Sequence, residues 1–204
     1  LRVKLKKVFG VGVNDAEQSV TPLVGGKQLM CQYYLKWHSM LRRCYDLKHQ
    51  QKYTTYSGCL VCEDWLVFSR FKEWVDVQPN KDWTNCELDK DLIVKGNKVY
   101  SPTTSVFITK HINNFLTDSR HTRGMCMLGV TMINSKNRFK SSCGNPFTAK
   151  QEYLGLFPTE LEAHKAWQAK KHEYACMLAD KQDDPRVVKA LRERYSPDKD
   201  WTKN

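Results

Sequence analysis

An α+β chain of two small modules is predicted by three observations. Between Trp83 and Asn114, two short β-type pieces flank a turn-rich loop and run into a helix. Between Leu128 and Leu178, three more β-type pieces lead into a helix with a strong start signal. Ahead of both, apolar residues from Tyr33 to Tyr45 recur every three or four positions, the period of an amphipathic helix. A chain of 204 residues can hold two such modules, neither with a large core. The expected boundaries are a leader at 1–29, a first module at 30–120, a second at 124–195 and a tail at 196–204.

The leader mixes Gly10, Gly12, Pro22, Gly25 and Gly26 with short β-type pieces, so a loop-rich segment is expected there rather than a packed element. Tyr33, Tyr34, Trp37, Met40, Leu41, Cys44 and Tyr45 form the apolar stripe of the first helix. Asp64 is placed to cap a second, which would bury Trp65, Phe68, Phe71, Trp74 and Val75 as core rather than offer them for base stacking. Strands are expected around Glu87–Val94 and Val106–Thr109, with turns at 95–98 and at Ser101-Pro102, and a helix from about Thr109. A polar link from Asp118 to Gly124 follows. In the second module the strands are Leu128–Ile133, Arg138–Cys143 and Glu152–Phe157. Thr159 and Glu162 then make a Ser/Thr-x-x-Glu capping box for a helix to about Leu178, whose stripe is Ala163, Ala166, Trp167, Tyr174, Met177 and Leu178. A last helix starts with Asp184 as cap and Pro185 at its first position, burying Val188 and Leu191.

The formal charge of +11 favours a polyanionic partner, nucleic acid first, because Lys and Arg that neutralise phosphates release condensed counterions. The excess is spread, with 18 basic against 12 acidic residues up to position 120 and 15 against 10 beyond it. A merely soluble basic protein has the same composition. No apolar run approaches the roughly 20 residues of a membrane helix, and the Lys-rich start has no apolar signal core behind it, so a cytosolic protein without a membrane partner is expected. On that footing the eight cysteines are reduced thiols or metal ligands rather than disulfides. Only Cys59 and Cys62 form a CxxC pair, and Cys31, Cys44 and Cys86 lie at no recognisable zinc spacing, so buried thiols are favoured over structural Zn²⁺.

In a strand-loop-strand-helix unit, an acid ending the first strand and an amide on the helix can converge on one hard cation. Asp89 and Asn113 suit Mg²⁺, with water and a phosphate oxygen in the remaining positions. The plainer alternative makes Asp89 and Asp91 turn acids and Asn113 and Asn114 helix-end residues. The string Leu88-Asp89-Lys90-Asp91, then Asn97, then Tyr100-Ser101-Pro102 through Phe107-Ile108-Thr109 to Asn113 resembles the HNH, or ββα-metal, nuclease family, especially the homing endonucleases of phages. That resemblance implies metal ligands at Asp89 and Asn113, and it puts Lys90 where the family has its water-activating His and Thr104 where it has a loop-pinning Asn. A lysine is a poor base unless its pKa falls. Asp91, His111 or a metal-bound hydroxide are the substitutes the sequence offers.

Residues 124–179 resemble the apetala-type DNA-binding domain of plant ethylene-response factors, which is also appended to phage HNH modules. The resemblance rests on Gly129-Val130, Asn137-Arg138-Phe139-Lys140, Tyr153 through Thr159, and Glu162 through Trp167. It implies that the sheet, not the helix, faces the major groove of double-stranded DNA. Lys136, Asn137, Arg138 and Lys140 would make the contacts, Arg138 to guanine and the lysines to phosphate, with Phe139 turned inward. Two functions lead, a Mg²⁺-dependent site-specific endonuclease or nickase of phage type in the host cytosol, or a nuclease scaffold without its base that acts as a DNA-binding repressor; an RNA-binding or purely structural protein is less favoured, because the sheet shows no paired aromatics on its expected outer face. With no dimerisation heptad, a monomer on DNA is expected.

Overall fold

A computed structural model describes residues 7–117 and 125–199 and the backbone, but not the side chain, of Lys136. The basic start at Arg2, Lys4 and Lys6, the link from Asp118 to Gly124 and the end of the tail at 200–204 lie outside the described residues. The fold is mixed helix and strand, α+β, in two compact units that divide between Thr109 and Lys110.

In the first unit the leader packs more than its glycines suggested. Val8 bridges to Gly12 and Val13 pairs in parallel with Val67, which brings Val8, Phe9 and Val11 against the core. A small hairpin, β1 (Leu23–Val24) with β2 (Lys27–Gln28), precedes α1 (Gln32–Tyr45). Trp37, Met40, Leu41 and Cys44, at helical spacing, are the buried face of α1, and the Trp37 indole N–H donates to the Trp65 carbonyl at 2.7 Å. Asp46 turns the chain into α2 (Leu47–Lys52), its carboxylate accepting from the Lys48 and His49 amides in an N-cap. Then β3 (Leu60–Val61) lies parallel to β5 (Val99–Tyr100), inside the loop that sequence reading treated as turn alone.

The helix expected from Asp64 is split. A 3-10 turn covers Glu63–Leu66, and α3 starts only at Phe68, running Phe68–Asp76. The cause is the Val13–Val67 bridge: the Val13 amide donates to Leu66 and the Phe68 amide to Val13, so Val67 is held extended. The aromatic residues are core, as their spacing suggested. Trp65 meets Phe71 edge-on with centroids 5.2 Å apart, and Trp74 and Trp83 both reach Phe107. Each such burial contributes on the order of 2 kcal/mol. The pair β4 (Cys86–Asp89) and β6 (Val106–Thr109) is antiparallel, from Cys86 opposite Thr109 to Asp89 opposite Val106.

The second unit begins with α4 (Lys110–Leu116), followed by the three-stranded antiparallel sheet β7 (Val130–Ile133), β8 (Arg138–Gly144), β9 (Gln151–Phe157), with β8 in the centre. Strand β7 starts two residues later than expected because Gly129 has φ +74°, and a side chain there would strike Trp167, whose ring atoms lie 2.0 Å from the position of a Cβ. Helix α5 (Glu160–Ala179) carries both halves of the capping box: Thr159 Oγ1 accepts from the Glu162 amide and Glu162 accepts from the Thr159 amide. Because α5 packs against the sheet on one side and against α6 (Pro185–Arg194) on another, its buried arc is wider than a stripe. It takes in His164 and Gln168, while Met177, expected inside, is exposed. In α6 the buried residues are Val187 and Leu191, four apart, rather than Val188 and Leu191, and Asp184 caps the Arg186 amide at 2.9 Å.

Candidate functional site

The orientation of the three-stranded sheet follows from one bond and the pairing register. Ser141 Oγ donates to the Ala163 carbonyl of α5 at 2.7 Å, so the face carrying Ser141 looks at the helix. Side chains alternate along a strand and directly paired residues share a face. Phe139, opposite both Met132 and Phe157, is therefore on the helix side, as expected for it. Arg138, Lys140, Thr131 and Leu156 fall on the opposite, outward face. Beyond an irregularity between Ser141 and Ser142, Ser142 pairs with Tyr153 on that outward face, and Tyr153 is 61% exposed. Glu152 looks the other way, taking the Tyr174 hydroxyl of α5. Among the described residues paired on the outward face none is acidic, so Arg138 and Lys140 set its charge.

Asn137 has a role in the backbone first. At φ +45° it holds the left-handed turn from the 3-10 segment Asn134–Lys136 into Arg138, a conformation Asn tolerates better than most residues. Its side chain is exposed beside that strand start. Lys136 stands one residue earlier, with its side chain outside the described residues. Tyr153 was absent from the contact set expected from sequence. Its place opposite Ser142 depends on the shift in register, which no alternation pattern in the sequence marks.

In the first unit, Asp89 ends β4 and immediately organises a turn: Oδ1 accepts from the Asp91 amide at 2.9 Å and from the Leu92 amide at 2.7 Å. This turn ends the strand four residues after it starts, well short of Val94. Oδ2 accepts no hydrogen bond from the described residues. Burial, with the Asp91 carboxylate next, pushes the Asp89 carboxyl above its ordinary range, against the two amide bonds that pull it down. Lys90 is 7% exposed, its ammonium 3.5 Å from Asp91 Oδ2 and 5.8 Å from the centre of the Tyr100 ring. The Asn97 amide clamps the loop by donating to the Lys90 and Val99 carbonyls, both at 2.7 Å. Thr104 Oγ1 also donates to Val99, at 2.8 Å, so it pins the loop with a hydroxyl where an amide was expected by resemblance. Arg43 of α1 donates to the Leu88 carbonyl and to the Tyr100 hydroxyl, tying the strand pair to the helix.

Asn113 lies in α4, within the second unit, four residues beyond the end of β6. His111 and Asn114 are on the same helix. Asp89 and Asn113, the expected pair of metal ligands, therefore belong to different units. No group of three or more His, Cys, Asp and Glu side chains converges among the described residues. All eight cysteines are free thiols, and burial pushes Cys44 up to about 12 and Cys143 up to about 11. Among the described residues no helix is long and apolar enough to cross a membrane.

No protein-family model, no curated protein and no solved structure matches this chain.

Proposed function

We propose that the protein binds double-stranded DNA through the outward face of β7, β8 and β9, with Arg138 at a base edge and Lys140 at a phosphate. The observation that carries this reading is the register that puts Arg138 and Lys140 together on the face turned from α5, with no acid paired beside them. A sheet whose exposed face is basic fits the wide major groove, where a guanidinium can take two acceptors of a guanine. Tyr153 and Leu156 add an apolar surface on the same face. Asn137, at the strand entrance, extends the reading toward the backbone. Selection of a preferred sequence from a randomised duplex pool, followed by gel shift at several salt concentrations, tests it. Tight binding that weakens steeply with salt supports the reading, and equal competition by A-form RNA would sink it.

A second activity, metal-dependent cleavage or nicking of the bound DNA as in HNH enzymes, is favoured by the uncommitted Oδ2 of Asp89. Mg²⁺ on Asp89 would supply charge stabilisation at a phosphodiester. Lys90 occupies the place of the base, yet its ammonium is engaged with Asp91. Without cleavage, the same binding face serves a repressor that works by occupying its site. Supercoiled plasmid carrying the selected sequence, incubated with Mg²⁺ or Mn²⁺, separates the two: nicked or linear product assigns the nuclease, and intact plasmid with a clear gel shift assigns the repressor.

A further inference from the structure

The second unit contains a cavity of about 610 Å³ that neither resemblance accounts for. Its walls are α4, the start of β7, the ends of β8 and β9 with the loop between them, and α5. Three nitrogen bases line it, His111, Lys150 and Lys171, and none of its described lining residues is acidic. Phe115 and Trp167, both largely buried, border it, and Asn114 and Gln151 give it amides. Such a volume falls in the usual range for small-molecule sites and exceeds what a bare inorganic anion fills.

The location relates the cavity to the sheet. Thr131 and Ser142 line it, and register puts both on the outward face with Lys140. The cavity therefore opens beside the candidate DNA-binding face, at the end where β8 and β9 run past β7. Lys171 is held in place: its ammonium donates to the Phe115 carbonyl at 2.7 Å and sits 3.6 Å from the Phe115 ring centre. One of its three donors is used in that bond, leaving two. Lys150 and His111 are exposed at the rim.

We propose that this cavity seats one nucleotide unit, its phosphate held by Lys150, His111 and Lys171 and its sugar and base beside Asn114, Gln151 and Trp167. Two sources share that chemistry, a nucleotide of a DNA strand lying on the sheet and a free mononucleotide. The strand source rests on the reading of the sheet as a DNA-binding face; the free source does not.

The test uses the full chain and the double variant Lys150→Ala, His111→Ala, which removes two exposed side chains and none of the packing of α5. Titration of deoxythymidine 5′-monophosphate, with inorganic phosphate as comparison, is followed by the Trp167 indole N–H resonance. Duplex binding is followed by gel shift across a salt series. If the strand is the source, the variant loses about tenfold or more in duplex affinity and the slope of log K against log salt shrinks by about 1. If a free nucleotide is the source, the mononucleotide moves the Trp167 signal, the variant weakens that by about tenfold, and duplex binding is unchanged. Unaltered duplex binding together with a Trp167 signal that no nucleotide moves overturns the cavity while leaving the sheet reading intact. A wild-type chain that binds no duplex overturns the sheet reading instead, and the cavity then stands or falls on the mononucleotide titration alone.

Discussion

Asp89 is the residue on which a cleavage assay would lean, and its geometry determines which substitution can be interpreted. Oδ1 satisfies the Asp91 and Leu92 amides at the end of β4. Asp89→Ala leaves two backbone donors without that acceptor, at about 1 kcal/mol each, so a loss of roughly 2 kcal/mol is expected for the first unit. Lost cleavage in that variant would then report the turn as readily as the metal. Asp89→Asn keeps an acceptor oxygen for both amides and removes the buried charge beside Asp91. The sign of the charge effect follows from the raised carboxyl pKa. A carboxyl whose folded pKa lies above its unfolded value contributes stability below the unfolded pKa, and that contribution is lost as pH rises through the folded value. At neutral pH the ionised Asp89 is therefore a cost, and Asp89→Asn should equal or exceed the wild type in stability, with an advantage that grows as pH rises from about 4 into the neutral range. Urea unfolding followed by tryptophan fluorescence reads this, since Trp37, Trp65, Trp74 and Trp83 all lie in the first unit. Mg²⁺ adds a second axis: at ten times a millimolar Kd it would stabilise the wild type by about 1.4 kcal/mol and leave Asp89→Asn unmoved. Equal stability of the Ala and Asn variants would refute the turn role. An equal response of wild type and Asp89→Asn to Mg²⁺ would refute Asp89 as a ligand.

Four further outcomes are expected. Gly129→Ala combines left-handed backbone strain with a Cβ at 2.0 Å from the Trp167 ring, so it should destabilise the second unit by about 3 kcal/mol, read by hydrogen exchange of the β8 amides; a change under 1 kcal/mol would contradict the close packing. Arg138→Ala should cost about 1–3 kcal/mol in duplex binding and flatten the preference at one base pair, while Lys140→Ala should weaken all duplexes alike and reduce the salt slope by about 1. The Lys171 amine is pushed down to about 8 by burial, so the unfolded chain binds the extra proton between pH 8 and the ordinary lysine value. Stability of the second unit should thus rise with pH across that window by about 3 kcal/mol relative to Lys171→Met, and parallel pH profiles of the two proteins would count against it. Thr159→Ala removes the cap accepting from the Glu162 amide and should cost about 1 kcal/mol, checked by the urea midpoint of the same unit.

What could be read from sequence was whatever depended on local chemistry. The capping box at Thr159 and Glu162, the Asp184-Pro185 start of α6 and the 3.6-residue spacing of Trp37, Leu41 and Cys44 act within a few residues, and each appears within a residue or two of its expected place. The misses share a cause in long-range pairing. Val13 pairing with Val67 splits the helix predicted from Asp64, and β3 beside β5 organises a loop that shows only turn residues. The buried face of α5 widened because α6 covers a second side, which the pattern of α5 cannot announce. For the candidate interface, alternation placed Arg138 and Lys140 on one face and Phe139 on the other, but Tyr153 needed the register shift at Ser141 and Ser142. At Asp89 the sequence offered a metal ligand and a turn acid as rivals. The geometry gives Oδ1 the second job, accepting from the Asp91 and Leu92 amides.

The same division of labour bears on whether the first unit could cleave the bound DNA. Lys90 is nearly enclosed, its ammonium 3.5 Å from Asp91 Oδ2 and 5.8 Å from the centre of the Tyr100 ring, an arrangement that uses the lysine to offset an acidic turn. Oδ1 of Asp89 holds the turn, and the Asn97 and Thr104 bonds to Val99 pin the adjoining loop. A site that keeps its carboxylate and its loop but engages the residue in the base position elsewhere would bind Mg²⁺ without efficient water activation. In such a site, Lys90→His should raise cleavage of the selected duplex if only the base is missing, because a histidine at that position would be neutral for a large fraction of the time near pH 7. Wild-type cleavage that Lys90→His leaves unchanged would show that the base lies elsewhere. If neither protein cuts while both still bind Mg²⁺ and DNA, the missing base is not the only loss, and the chain acts by occupying its site.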